Sequence, residues 1–153
     1  LREKIPCKLL LVGDGPERPR LERLCRDKYC MDNTLFLGQM ESTKEVLNIS
    51  DLFLLPSESE SFGLAALEAM ASGCLCIGTD VTGIKEIIKD GVTGILSKTV
   101  EYNDIYIALD RAIQANNKEI MVRHGVDFIK ENCSLTKIAN EELLIFKNLV
   151  DAK

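Results

Sequence analysis

The chain has 153 residues, 19 Lys and Arg against 24 Asp and Glu, a net charge of −5 and a hydrophobic fraction of 46%. That length normally makes one domain with its own core, and the acidic balance argues against nucleic acid or an anionic membrane surface as principal partner. No apolar run approaches the roughly 18 residues of a membrane span.

The opening Leu-Arg-Glu-Lys-Ile-Pro is not a secretion signal and carries no initiator Met, so residues 1–153 are expected to be a single domain of something longer, working in the cytoplasm. Leu9–Val12 is an apolar run that reads as a buried strand. It breaks at Gly13-Asp14-Gly15-Pro16, and a helix is expected from Glu17 to about Lys28. A strand followed by G-x-G invites a dinucleotide-binding reading, but Arg18 stands where the third glycine of that fingerprint belongs. Cys7, Cys25, Cys30, Cys74, Cys76 and Cys133 contain no C-x-x-C pair, and Cys74 and Cys76 share one face of an apolar strand. Packing thiols in a reducing compartment are the expectation, not zinc or a disulfide framework.

Thr34 to Leu37 is the next strand, ending at Gly38-Gln39-Met40. Ser42 with Glu45 three residues on is a capping-box pattern that opens a helix ending near Asn48. Asp51 to Leu55 is a short continuous apolar run, the pattern of a strand buried on both faces of a parallel sheet. Pro56 ends it, Ser57 to Ser61 is a polar turn, and Phe62-Gly63 opens a helix over Leu64 to Ser72 that Gly73 stops. Ligands of open α/β sheets bind at the carboxyl ends of strands, and free N–H groups at a helix start bind anions. The backbone of Phe62, Gly63 and Leu64 is therefore a candidate phosphate cradle. Within Leu-Ala-Ala-Leu-Glu-Ala-Met-Ala the one charge is Glu68, so most of the helix surface should be buried and the carboxylate should face a crevice where it accepts hydrogen bonds. Glu60 lies eight residues earlier, at the helix entrance. Two carboxylates so placed suit a ligand with two sets of hydroxyls, one near the phosphate and one about two turns along.

Leu75 to Gly78 is the following strand, with the loop Thr79 to Gly83 at its carboxyl end. A helical turn over Ile84 to Ile88, turns over Asp90 to Gly94 and a strand at Ile95 to Ser97 come next. Helices are expected over about 104–115, 118–130 and 136–150. The last carries Ile138, Leu143, Leu144, Phe146, Leu149 and Val150 as a core-facing surface. His124, alone of its kind, excludes a His-based triad or metal site and reads as a surface or packing residue.

Glu60-Ser61-Phe62-Gly63-Leu64-Ala65-Ala66-Leu67-Glu68, after Pro56-Ser57 and before Ala69-Met70-Ala71-Ser72-Gly73, resembles the E-x7-E motif of family 4 retaining glycosyltransferases of the GT-B fold. Ser61 stands where that family commonly has Gly, Ala65 where it has Pro, and Lys85 again where Pro is usual. The stretch V-G-D-G-P-E at Val12–Glu17 resembles the second strand and turn of the family's C-terminal domain, and Ile77 to Leu96 follows its pattern I-G-T-D-x-x-G-x-x-E-I-I-x-D-G-x-T-G-x-L. The resemblance implies a Rossmann-like three-layer αβα fold with a mostly parallel sheet, lacking its first strand. It makes Glu60 the catalytic residue at the donor sugar's hydroxyls and Glu68 the ribose-binding carboxylate. The amides of Phe62, Gly63 and Leu64, with Ser61 beside them, would meet the distal phosphate and sugar. Gly13, Gln39 and Met40 near the base, and Thr79 at the head of a loop toward the acceptor, complete the implied donor site.

The implied substrate is a nucleoside-diphosphate sugar, expected to be a UDP-sugar, with no metal or cofactor expected, since no D-x-D is present and Asp80 stands alone. An acceptor domain, the first strand and the cations for the diphosphate would lie upstream, so this piece alone should be inactive. The strand edges left by the absent strand would have to pair directly, pair with another chain or rearrange. Within the family, P-S-E-x-E-S-F-G-L with C-I-G-T resembles the N-acetylglucosaminyl-malate synthases, and capsular and exopolysaccharide transferases equally. A sugar-nucleotide epimerase of the same fold and a non-catalytic nucleotide-sugar binding module are the two rivals.

Overall fold

The computed structural model describes residues 5–151. The first four residues, which open the stretch without a secretion signal, and the last two of the expected 1–153 domain lie outside the described residues.

The chain divides into two compact units, one ending at Glu45 and the other beginning at Val46. The first unit is built on β1 (Leu9–Val12), α1 (Arg18–Asp27), a 3-10 turn at Met31–Asn33 and β2 (Thr34–Gly38). β1 and β2 pair in parallel, with Leu9 opposite Thr34 and Leu11 opposite Phe36. Gly13 then turns away, its N–H donating to the Gly38 carbonyl at 2.7 Å. Arg18, the residue that spoils the dinucleotide fingerprint, has a structural use. Its guanidinium meets Asp14 at 2.8 Å and Glu22 at 3.0 Å and lies 5.8 Å from the centre of the Phe36 ring, tying α1 to the turn.

The second unit holds a parallel sheet in the order β3-β4-β5, where β3 is Leu52–Leu55, β4 Leu75–Thr79 and β5 Gly94–Ser97. Every residue of β4 is buried, as a central strand in a covered sheet requires. Its alternation sorts the core into two layers. Leu75 and Ile77 point to one face, where Ala108 and Ala112 of α5 (Tyr102–Gln114) and Met121 of α6 (Lys118–Asn132) cover them. Cys76 points to the other, into a cluster with Leu67, Ala69 and Met70 of α3 (Leu64–Ala71), Ile84 of the short α4 (Thr82–Lys85), and Ile87 and Ile88. The expected αβα layering with parallel strands is thus present.

Among the described residues β1 hydrogen-bonds with β2 alone and β3 with β4 alone. α2 (Lys44–Asn48) begins two residues after the Ser42-x-x-Glu45 box opens, and Ser42 Oγ accepts from the Lys44 N–H at 3.4 Å. The C-terminal α7 (Leu135–Asp151) corrects one expectation. Ile138, Leu143, Leu144, Phe146, Leu149 and Val150 form no core surface but are exposed, Phe146 by 63%. Helical periodicity says which side chains share a face; it says nothing about whether this chain supplies a layer to cover them.

Candidate functional site

β3 runs straight into the polar loop 56–63, and α3 follows it back along the sheet. Gly63 caps α3 in the left-handed conformation, φ 73° and ψ 38°, which an L side chain adopts only with strain. Space is tight there as well, because a Cβ would sit 3.1 Å from the Ile87 Cδ1, which would have to give by a few tenths of an ångström. The helix ends as expected of a Gly73 stop: the Gly73 N–H reaches the Met70 carbonyl and the Cys74 N–H the Ala69 carbonyl, both at 3.0 Å.

Glu60 is half-buried at the entrance of α3. Its Oε1 accepts from the N–H of Ser61 at 3.2 Å and of Gly63 at 3.3 Å. The carboxylate thus lies against the positive end of the helix, where a negative charge is stabilised. These are long bonds at an accessible site, and they occupy an amide that the sequence assigned to a phosphate. Ser61, Phe62 and Leu64 are exposed beside it, Phe62 by 55% and Leu64 by 64%.

Glu68 stands on the exposed side of α3, in one stripe with Leu64 and Ala65, while Ala66, Leu67, Ala69 and Met70 are buried. The expectation that most of this helix is covered holds for that half only. Glu60, Ser61, Phe62, Gly63, Leu64, Glu68 and Thr79 all belong to the second unit. Thr79 is 1% exposed, and its hydroxyl donates to the carbonyl of Ser57, so it supports the loop from beneath. Asp80, next along, pairs with Lys85 at 3.5 Å.

Gly13, Gln39 and Met40 fall in the first unit, all exposed. Gly13 borders an open hollow of about 410 Å³, formed by the turn from Leu11 to Arg18 with Leu21 and Phe36. Within it the Asp14 carboxyl is held below its usual range, first by the Gly15 N–H and then by Arg18. Among the described residues no three or more His, Cys, Asp or Glu side chains are grouped to hold a metal ion, and no helix is long and apolar enough to cross a membrane.

Gly83 closes the loop 79–83 that the resemblance placed at the cleft, but its contact with the Glu60 peptide was not foreseen. Its N–H donates to the Glu60 carbonyl at 3.2 Å, and a Cβ on it would fall 2.3 Å from that same oxygen. Two loops twenty residues apart meet through backbone, and only the glycine itself hinted at a close approach.

Comparison with known proteins gives the architecture a family. Residues 1–124 match the glycosyl transferases group 1 family. The N-acetyl-alpha-D-glucosaminyl L-malate synthase of Bacillus anthracis is 47% identical over 129 residues, which is 84% of this chain and 33% of that protein. The alpha-D-kanosaminyltransferase of Streptomyces kanamyceticus is 31% identical over 109 residues, 70% of this chain and 28% of the relative. Among solved structures, the sucrose-phosphate synthase of Thermosynechococcus elongatus superposes with a TM-score of 0.84 at 27% identity, covering 99% of this chain and 41% of that one. Anabaena HepE in complex with UDP, at 19% identity, shares the fold with a TM-score of 0.84 over 94% of this chain and 42% of its own. The chain spans between 28% and 42% of the length of these relatives. With four fifths of its length matched in sequence, and with the parallel αβα layers that its relatives share, the chain belongs to the glycosyl transferases group 1 family.

Proposed function

We propose that the chain is the donor-binding half of a family 4 retaining glycosyltransferase, which moves a sugar from a nucleoside-diphosphate sugar, a UDP-sugar, to an acceptor. The observation that carries this reading is the pair of carboxylates on one short strand-loop-helix unit, Glu60 at the mouth of α3 and Glu68 one exposed turn further on. Glu68 accepts hydrogen bonds from the ribose diol. Glu60 leaves the amides of Ser61 and Gly63 for the hydroxyls of the donor sugar, and those amides, with Phe62 and Leu64, take the distal phosphate. The exchange replaces one anion by another at the helix N-terminus, so the favourable electrostatics there are retained as the leaving diphosphate gathers charge. Gly13, Gln39 and Met40 serve the base.

No metal is needed in this scheme; cations supplied by upstream sequence complete the neutralisation. That sequence also contributes an N-terminal acceptor-binding domain, and the assembled enzyme works in the cytoplasm or at the inner face of the membrane. The 47% identity to the Bacillus anthracis synthase favours an N-acetylglucosaminyl donor and L-malate as acceptor. Titrating the full-length protein with UDP-, GDP- and ADP-sugars, and following product with and without L-malate, tests this. Glu68→Ala should weaken binding of every nucleotide, free UDP included, whereas Glu60→Ala should spare UDP and lower turnover. Unchanged nucleotide affinity in Glu68→Ala refutes the ribose assignment.

A further inference from the structure

The loop that carries Glu60 is held from outside at two points, and both holds come from residues at or after the end of β4. The buried Thr79 hydroxyl donates to the Ser57 carbonyl, and the Gly83 N–H donates to the Glu60 carbonyl at 3.2 Å. At Gly83 the fit is close. A Cβ there would lie 2.3 Å from the Glu60 carbonyl oxygen, 2.7 Å from the Ser61 carbonyl carbon and 2.8 Å from its oxygen. All three are backbone atoms, which cannot swing aside as a side chain would. Any residue larger than glycine must therefore move the peptide of Glu60 itself.

Glu68 is anchored differently. Its helix is held by the buried Ala66, Leu67, Ala69 and Met70, and Gly83 approaches it only at its N-cap, where a Cβ on Gly63 would lie 3.8 Å from the Gly83 carbonyl oxygen. The Glu60 peptide takes the Gly83 contact directly, and Glu68 only through the body of the helix.

We propose that Thr79 and Gly83 are positioning residues that set the place of the Glu60 carboxylate, and with it the rate of sugar transfer, with a smaller effect on nucleotide binding, which Glu68 and the base-side residues share with the loop amides. This rests on the reading of Glu60 as the residue that meets the donor sugar. A carboxylate displaced by about 1 Å at a reacting centre costs on the order of 100-fold in rate. A shift of that size is what the Gly83 overlap demands.

The test uses the full-length enzyme with its donor and acceptor. Gly83→Ala, Thr79→Val, Thr79→Ser, Glu60→Ala and the double variant Glu60→Ala/Gly83→Ala are compared for kcat, donor KM and the affinity for UDP alone. Gly83→Ala and Thr79→Val should lower kcat by about 10- to 100-fold and change the UDP affinity less than about threefold. Thr79→Ser keeps the hydroxyl and should stay near the parent. The double variant should be no slower than Glu60→Ala, because a misplaced carboxylate has no further effect once the carboxylate is gone. If Gly83→Ala does not fold, the near-isosteric Thr79→Val and its serine counterpart decide. The proposal is overturned if UDP affinity falls in parallel with kcat, if Gly83→Ala slows the Glu60→Ala background by its full factor, or if kcat is unchanged in both clamp variants. A Glu60→Ala enzyme with parental turnover removes the premise instead, and that result is distinguishable because it leaves the clamp variants' own rates to be read separately.

Discussion

Gly63 is the point where backbone conformation and packing coincide, and replacing it separates the two. Gly63→Ala puts a Cβ on a residue with φ 73° and pushes it to 3.1 Å from the Ile87 Cδ1. The left-handed conformation costs an alanine about 1–2 kcal/mol. The stiffer unfolded chain returns about 0.4–1 kcal/mol of that. Forcing buried Ile87 off its rotamer adds about 0.5–1.5 kcal/mol. Gly63→Ala should therefore destabilise by about 2 kcal/mol, a sum of these contributions. Gly91 shares the φ of 73° but has nothing within 4 Å of its would-be Cβ, so Gly91→Ala should show the backbone part alone, about 1 kcal/mol. Urea unfolding of the chain, followed by far-UV circular dichroism, measures both. Ile87→Val removes the methyl that the new Cβ meets, so the double variant Gly63→Ala/Ile87→Val should be more stable than the sum of its single changes by about 0.5–1.5 kcal/mol. Equal losses at Gly63 and Gly91, or strictly additive behaviour with Ile87→Val, would refute the packing half of the argument.

Other consequences follow from the same core. Asp90 accepts from the Leu96 N–H at 2.7 Å and from Arg111 at 2.9 Å, so Asp90→Ala strands an amide as well as breaking an ion pair. It should cost more in urea unfolding than Arg111→Ala, about 1–2 kcal/mol against less than about 1 kcal/mol for the half-exposed pair. Ile88 is fully buried against β4 and β5, and Ile88→Ala should cost about 2–5 kcal/mol in the same assay. Burial pushes the Cys76 thiol far above its ordinary value of 9.0. The folded protein then keeps a proton that the unfolded chain releases, so this contribution is intact below about pH 9 and stability falls as pH rises beyond it. The fall should be shallower in Cys76→Ala. Iodoacetamide should label the exposed Cys7 in the native protein and reach Cys74 and Cys76 only on unfolding.

The sequence made the sheet legible because β4 and its neighbours are short apolar runs bounded by Gly, Pro and polar turns, and Leu75-Cys76-Ile77 cannot be exposed on either face of a covered sheet. The strand-loop-helix unit was equally readable, since Gly63 and Gly73 punctuate α3 at both ends. What escaped were relations between segments. That Thr79 turns down to Ser57, and that Gly83 lies against the Glu60 peptide, depends on how two βα loops meet, and neither residue's neighbours in sequence announce it.

The α3 helix shows the same limit from another side. Leu-Ala-Ala-Leu-Glu-Ala-Met-Ala carries no polar stripe, so its composition predicts burial all round. The structure buries Ala66, Leu67, Ala69 and Met70 and leaves Leu64, Ala65 and Glu68 open. Leu64 is 64% exposed in line with Glu68. On the proposed reading of Glu68 as the acid that meets the ribose, Leu64 and Ala65 would form an apolar ledge that excludes water around the hydrogen bonds it accepts. Leu64→Gln in the full-length enzyme should then weaken UDP binding severalfold without lowering stability by more than about 0.5 kcal/mol, the usual range for a surface change. Calorimetric titration with UDP beside urea unfolding reads both quantities, and a variant that binds UDP as the parent does would leave the exposed stripe with no connection to the nucleotide.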